Sequence, residues 1–341
     1  MNLCPRAVNR LTLPLALALA AIFAACGGGE GGDGSRAGST QEQREATLVL
    51  DFVPNAVHTG IYCADARGYY EQGGIDLGII EPSSTADTLR LIGAGKAEFG
   101  LADGIDVAGQ IGRGRSAKGI LALSQRPLGG LITLDESGID DPGELEGSTV
   151  GVTGLPSDDA VLETMVRAAG GDPESVHTVA IGFNGVQALR AGKVAAFTGY
   201  PVADAPLVEG ADTTARSFAL DSFGGPAYPG LVAFSTEELI AAEPELVSAF
   251  VAATLHGYED TIADPESCRD ELLDANPELD PTLAEAQLDG YLPLFAAEAS
   301  SFGSFRPQGV EELSSFLVDN GLIDEAIPIE RFATNEFIDA G

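Results

Sequence analysis

The feature that most constrains this chain is an alternation of short apolar, strand-like runs with helix-length amphipathic segments. It begins at Thr47 and restarts once at Ser148. Apolar runs of strand length and repeats near 3.6 residues distinguish the two element types. The first series predicts strands over Thr47–Val53, Ile75–Glu81, Glu98–Ala102 and Gly119–Ser124, with helices over Val57–Gly73, Thr85–Ala94 and Ile105–Arg113. The second predicts strands over Ser148–Val152, His177–Ile181 and Ala195–Tyr200, with helices over Ser157–Ala169 and Val186–Ala191. Strands joined through helices pair in parallel and are covered on both faces. The chain is therefore expected to be α/β, with two Rossmann-like lobes.

After Pro229 the pattern turns helical, over Glu237–Ala241, Pro244–Ala263, Pro265–Asn276, Pro281–Phe295 and Val310–Asn320. Several of these segments carry proline or an acid in the first turn, as helix starts do. Such a tail is expected to pack on the first lobe. Lobe one is then 47–127 plus 229–341, and lobe two is 128–228. The chain crosses near Pro127 and again near Tyr228, and two crossings make a hinge beside a cleft.

Residues 1–26 read as a leader rather than as part of the fold. Arg6 and Arg10 precede an apolar run from Leu11 to Phe23, which is short for a membrane span. Phe23-Ala24-Ala25-Cys26 resembles a bacterial lipoprotein cleavage box, with Cys26 as the lipidated residue. The glycine-rich stretch over 27–46 reads as a flexible tether. A lipid anchor at Cys26 implies work just outside the cytoplasmic membrane. In the folded part only Cys63 and Cys268 remain. Their spacing fits no metal or redox motif, so two buried thiols are expected, with a disulfide as the alternative.

The net charge of -34, from 52 acidic and 18 basic residues, makes nucleic acid and anionic lipid surfaces unfavourable partners. It favours neutral or cationic solutes, although an acidic surface also serves solubility alone. His58, His177 and His256 lie far apart without metal-ligand spacing, and neither a metal nor a cofactor is expected. The glycine-rich Gly112-Arg113-Gly114 lacks the lysine and serine of a phosphate loop and reads as a helix C-cap.

Four segments, in order, carry a family resemblance: LVLDFVPNAVHTGIY, RGYYEQGGIDLGIIEPSSTADTLRLIGAGKAEFGLAD, GGPAYPGLVAF and ATNEF. They resemble the SsuA/THI5-like, thiamine-pyrimidine-related proteins over about residues 47 to 341. That family joins fungal synthases of the thiamine pyrimidine with bacterial proteins that deliver formylaminopyrimidine or related precursors to ABC importers. The resemblance implies a type II periplasmic-binding-protein fold and, as partners, an ABC permease and ATPase. The synthases carry a cysteine-rich run before the returning strand, where this chain has Gly224-Gly225-Pro226-Ala227-Tyr228-Pro229. That difference favours the transport branch and a non-enzyme. The expected ligand is an aminopyrimidine. Another small solute, such as a riboflavin-type ring, an alkylsulfonate or nitrate, is the alternative, ahead of a pyrimidine synthase or a non-transport lipoprotein.

The carboxyl ends of strands are where open α/β sheets bind ligands, so DFVPNAVHTG is the expected contact loop. Phe52 offers an aromatic face to a planar ring or packs as core. Asn55 offers a donor and an acceptor or serves the turn after Pro54. His58 matches a histidine the synthases use; here it lines the cleft or caps a helix. Asp103, ending FGLAD, suits an amino-substituted ring or caps the next helix. Ser157 contacts the ligand or acts as N-cap, and the adjoining Asp158 and Asp159 oppose an oxyanion at that helix start. Tyr200 and Asp204 match an aromatic and a carboxylate of the pyrimidine binders, although Pro201 replaces a tryptophan. Tyr228 supplies a second stacking face or packs at the hinge.

Overall fold

The structure, a computed structural model, describes residues 43–210, 213–295 and 302–338. The leader, Cys26 and most of the expected tether lie outside the described residues. Ten strands are present: β1 (Arg44–Val49), β2 (Ile75–Ile80), β3 (Phe99–Asp103), β4 (Lys118–Ala122), β5 (Gly130–Leu134), β6 (Thr149–Val152), β7 (His177–Ala180), β8 (Ala196–Gly199), β9 (Ala215–Ala219) and β10 (Leu231–Ser235). They form two five-stranded sheets, ordered β2-β1-β3-β10-β4 and β7-β6-β8-β5-β9. In each sheet a single strand, β10 or β5, runs antiparallel to both neighbours. The central β3 and β10 are buried at every residue, as strands covered on both faces must be.

The strand β1 starts three residues before the expected Thr47, inside the segment read as tether. Arg44, Glu45 and Ala46 continue the parallel register opposite Ile75, Asp76 and Leu77. The Arg44 guanidinium also bonds Glu243 at 3.0 Å. Hydropathy misses this extension because Arg44 and Glu45 are charged, while the pairing itself is made by backbone.

Helices α1 (Thr59–Ala66), α2 (Tyr69–Gln72), α3 (Thr85–Gly93) and α4 (Gly104–Gly112) belong to the first series. The single helix expected over 57–73 is in fact a 3-10 turn, Ala56–His58, followed by α1 and α2, which break at Gly68 with φ of 69°. Helices α5 (Pro156–Ala168), α6 (Gly185–Arg190) and α7 (Pro201–Val208) belong to the second. The tail contributes α8 (Glu237–Ala242), α9 (Pro244–Ala263), α10 (Pro265–Ala275), α11 (Pro281–Phe295), α12 (Pro307–Asp319) and α13 (Ile329–Phe332).

Helix α9 packs on α1 and stacks Phe250 on Phe99 of β3, ring centroids 3.9 Å apart. The two helices approach so closely that a Cβ on Gly257 would fall onto the Gly60 carbonyl. Helix α10 also meets α1, and there Cys63 and Cys268 form a disulfide, with Cα atoms 5.0 Å apart. The expectation of two free thiols is thereby corrected. Nothing local to either cysteine marks the pairing, which arises because α9 and α10 fold back over α1 across 205 residues.

The chain passes from the first sheet to the second over residues 123–129 and returns over 220–230. These crossings run side by side: Leu123 N–H donates to the Leu231 carbonyl at 2.8 Å, and Gly230 N–H to the Ser124 carbonyl at 3.1 Å. Arg126 Nε donates to Asp221 Oδ2 at 2.8 Å and ties one crossing to the other. Most of the tail packs on elements of the first sheet, but α11 also meets α7. Gln287 Nε2 donates to the Ala203 carbonyl at 2.7 Å, so the tail also packs on a helix that covers the second sheet.

Candidate functional site

A cavity of about 510 Å³ lies where the strand ends of both sheets face each other. Its wall takes Asp51, Phe52, Val53 and Asn55 after β1, Asp103 and Asp106 at the start of α4, the loop into α5, Phe183, Phe197 to Tyr200 around the end of β8, and Ala203 and Asp204 of α7. Tyr228, from the returning crossing, completes it. Seven of the residues expected from sequence are gathered here: Phe52, Asn55, Asp103, Ser157, Tyr200, Asp204 and Tyr228.

Phe52 is half-buried and meets Phe183 edge to face, with centroids 4.4 Å apart at 72°. The two rings come from different sheets, and together they form an apolar rim. Asn55 lines the cavity but spends its side chain locally, accepting from Val57 N–H at 3.0 Å and donating to the Val53 carbonyl at 3.0 Å. It therefore shapes the turn, which is the second of its two expected roles. His58 is fully buried and lies outside the cavity wall. Its Nδ1 accepts from Asn55 N–H at 3.2 Å, and its Nε2 lies 2.8 Å from Asp51 Oδ1.

Carboxyl groups dominate the polar part of the wall. Asp103 caps α4 by accepting from Ile105 N–H at 3.0 Å, and its other oxygen accepts from the Tyr200 hydroxyl at 3.5 Å. Tyr228 also bonds it. Burial first, and the nearby Asp106 charge second, hold the Asp103 carboxyl well above the usual range. Asp106 accepts from Ser157 Oγ at 2.5 Å across the two units, and burial pushes it up to about 7 against that stabilising bond. Asp204 accepts from Tyr200 N–H at 2.8 Å, and burial lifts it to about 6. A Cβ on Gly199 would fall onto this carboxyl, so any larger residue where β8 turns into α7 would have to displace Asp204.

Ser157 does not cap α5 as expected. The helix begins at Pro156 with Leu155 in the cap position, and Ser157 points instead at Asp106. The capping work falls to Asp158, whose carboxylate accepts from Thr153 Oγ1, Gly154 N–H, Leu155 N–H and Thr198 Oγ1 at 2.8–3.0 Å. An anion built into the helix start occupies the donors that would hold an oxyanion ligand. Among the described residues Arg190 is the one cationic side chain in the wall, and its Nη2 donates to the Val208 and Glu209 carbonyls. The cavity offers acceptors and aromatic faces, so it suits a planar ligand rich in N–H donors.

Residues 55–268 match the family described as NMT1/THI5 like. The chain belongs to the NMT1/THI5-like family. It is 32% identical over 227 residues to the formylaminopyrimidine-binding protein of Halalkalibacterium halodurans, covering 66% of this chain and 69% of that one. It is 27% identical over 295 residues to the 4-amino-5-hydroxymethyl-2-methylpyrimidine phosphate synthase of Legionella pneumophila, covering 86% and 92% respectively. Among solved structures it is similar to the alkanesulfonate-binding protein SsuA of Xanthomonas axonopodis bound to MOPS. There the TM-score is 0.68 at 14% identity over 86% of this chain and 99% of that one. The fold of this NMT1/THI5-like chain is that of the periplasmic binding proteins.

Several wall residues of this family member are not singled out by sequence, Asp51 among them although it opens the expected contact loop DFVPNAVHTG. Asp51 ends the apolar run LVL and sits beside Phe52, so its place at a strand's carboxyl end was a usable signal. Asp106 reads only as an acid in a helix first turn, because its partner Ser157 lies 51 residues away. Phe183 follows β7 in a loop with no distinguishing pattern. Among the described residues no helix is long and apolar enough to cross a membrane, and no group of three or more His, Cys, Asp or Glu could hold a metal ion.

Proposed function

We propose that this chain is the extracytoplasmic solute-binding subunit of an ABC importer and that its cavity takes an aminopyrimidine of the thiamine-precursor type. The observation that carries the reading is the cavity wall itself: facing aromatic rings, several buried carboxyls, and one guanidinium already committed to carbonyls. An amino-substituted nitrogen ring offers further donors to the carboxyls lining the cavity and the flat faces the rings accept. The 32% identity to a formylaminopyrimidine-binding protein supports the same ligand class. Sulfonate and nitrate fit poorly, because the start of α5 carries Asp158 where an anion would sit.

The two units act as lobes, 47–127 with 229–341 and 128–228, that close on the ligand about the paired crossings. Closure presents the surface that docks on the permease and its ATPase, and an anchor at Cys26 keeps the protein at the membrane. The synthase reading is disfavoured because Gly224 to Pro229 lacks cysteine and because both His58 ring nitrogens are already bonded within the fold.

A thermal-shift screen tests the proposal. A ligand that binds only the folded form raises the melting temperature, by an amount equivalent to about 2.7 kcal/mol at a hundredfold excess over Kd. 4-Amino-5-hydroxymethyl-2-methylpyrimidine is expected to stabilise the protein, whereas taurine and nitrate leave it unchanged. Stabilisation by taurine or nitrate alone would remove the aminopyrimidine.

A further inference from the structure

We propose that Asp51, held from behind by His58, is the acceptor that selects a ligand carrying an exocyclic amino group, with His58 as its positioning residue. This deepens the aminopyrimidine reading and rests on it. The geometry fixes the proton on the ring. Nδ1 accepts the Asn55 N–H at 3.2 Å, so it carries no hydrogen, and the imidazole proton sits on Nε2. From there it donates to Asp51 Oδ1 at 2.8 Å. The donor is locked in turn. Asn55 is held by Val53 and Val57, and the Val57 carbonyl accepts from Tyr258 of α9 at 2.7 Å.

Asp51 is 3% exposed and belongs to the cavity wall beside Phe52. His58 engages one of its oxygens; among the described residues no hydrogen bond engages the other, which is not fully buried and opens to the cavity. A carboxyl oxygen that a bound ligand covers without giving it a donor is costly, and a ligand N–H at that point removes the cost. A ligand without the donor leaves the oxygen unmet, which is how a site built for one hydrogen bond rejects the analogue lacking it. The imidazole contributes orientation rather than contact, since it never reaches the cavity.

The test compares affinities for 4-amino-5-hydroxymethyl-2-methylpyrimidine and for its analogue lacking the 4-amino group, by calorimetry on the whole protein. The wild type is expected to prefer the amino form by at least about tenfold. His58→Leu is expected to collapse that preference to the level of Asp51→Asn, while His58→Gln, which keeps an N–H, retains most of it. Combining His58→Leu with Asp51→Asn adds no further loss of preference. Equal weakening of both probes by His58→Leu, with the ratio kept, assigns His58 to packing alone and overturns the inference while the aminopyrimidine reading stands. Failure of the wild type to bind either probe overturns both. Should His58→Leu not fold, nitrogen-15 resonances of the wild-type imidazole carry the test. The ring should be in its Nε2–H form and shift only with the amino probe, and identical shifts with both probes overturn the proposal.

Discussion

At the residue scale the cavity is an arrangement of carboxyls that burial has made reluctant to ionise. For Asp106, lifted to about 7, the folded chain holds a proton that the unfolded chain releases near pH 4. Its stabilising contribution is therefore complete below the unfolded value and is lost as pH rises through about 7. Between pH 5 and 7 the slope is about 1.4 kcal/mol per pH unit, so roughly 2–3 kcal/mol disappears from this group by pH 8. Asp204, at about 6, and Asp103 act in the same direction. Replacing Asp106 by Asn removes one titration, and the gap in urea stability between pH 5 and pH 8 should shrink by about 2 kcal/mol. Parallel pH profiles for wild type and variant would sink this account. The sequence disclosed the residue types here but not their partners. Asp103 as a cap and Asn55 as a turn residue follow from two or three neighbours, whereas Ser157 facing Asp106 depends on how two distant helices meet.

At the scale of elements, the strand–helix alternation was legible because each unit is a local pattern. The short strands β5 and β9 were not. GLITL and ARSFA are five residues each, and they become strands by pairing with one another across the second sheet. The disulfide between α1 and α10 belongs to the same long-range class. It closes a loop of 205 residues, for which chain entropy gives a stabilisation of about 5 kcal/mol, usually realised only in part. Serine at both Cys63 and Cys268 should lower the urea midpoint by the equivalent of about 2–4 kcal/mol, matched by wild type under reductant. Identical midpoints for oxidised wild type and the double variant would exclude the cross-link as a stabilising element.

At the scale of the whole molecule, contacts join elements on the two sides of the cavity. Ser157 meets Asp106, Tyr200 meets Asp103 and Phe52 meets Phe183 across the cavity, and Gln287 of α11 reaches Ala203 of α7. The first two of these contacts bury carboxyls, so the proposed closure without ligand sets hydrogen bonds and apolar contact against the desolvation of acids. A ligand shifts such a balance only by its differential affinity for the closed form, and N–H donors placed among these carboxyls provide it. Raising the pH ionises Asp106 and Asp204 and opposes the proposed closure, whereas the proposed amino-substituted ligand favours it. Small-angle scattering should therefore show a larger radius of gyration at pH 8 than at pH 5 without ligand. Saturating 4-amino-5-hydroxymethyl-2-methylpyrimidine at pH 8 should restore the smaller value. The crossings are clamped by Arg126 and Asp221, which sit outside the cavity wall, so Arg126→Ala should leave the liganded radius unchanged and alter only the unliganded one. A radius indifferent to both pH and ligand would mean that the two units form a rigid body, and the cavity would then have to fill without hinge motion.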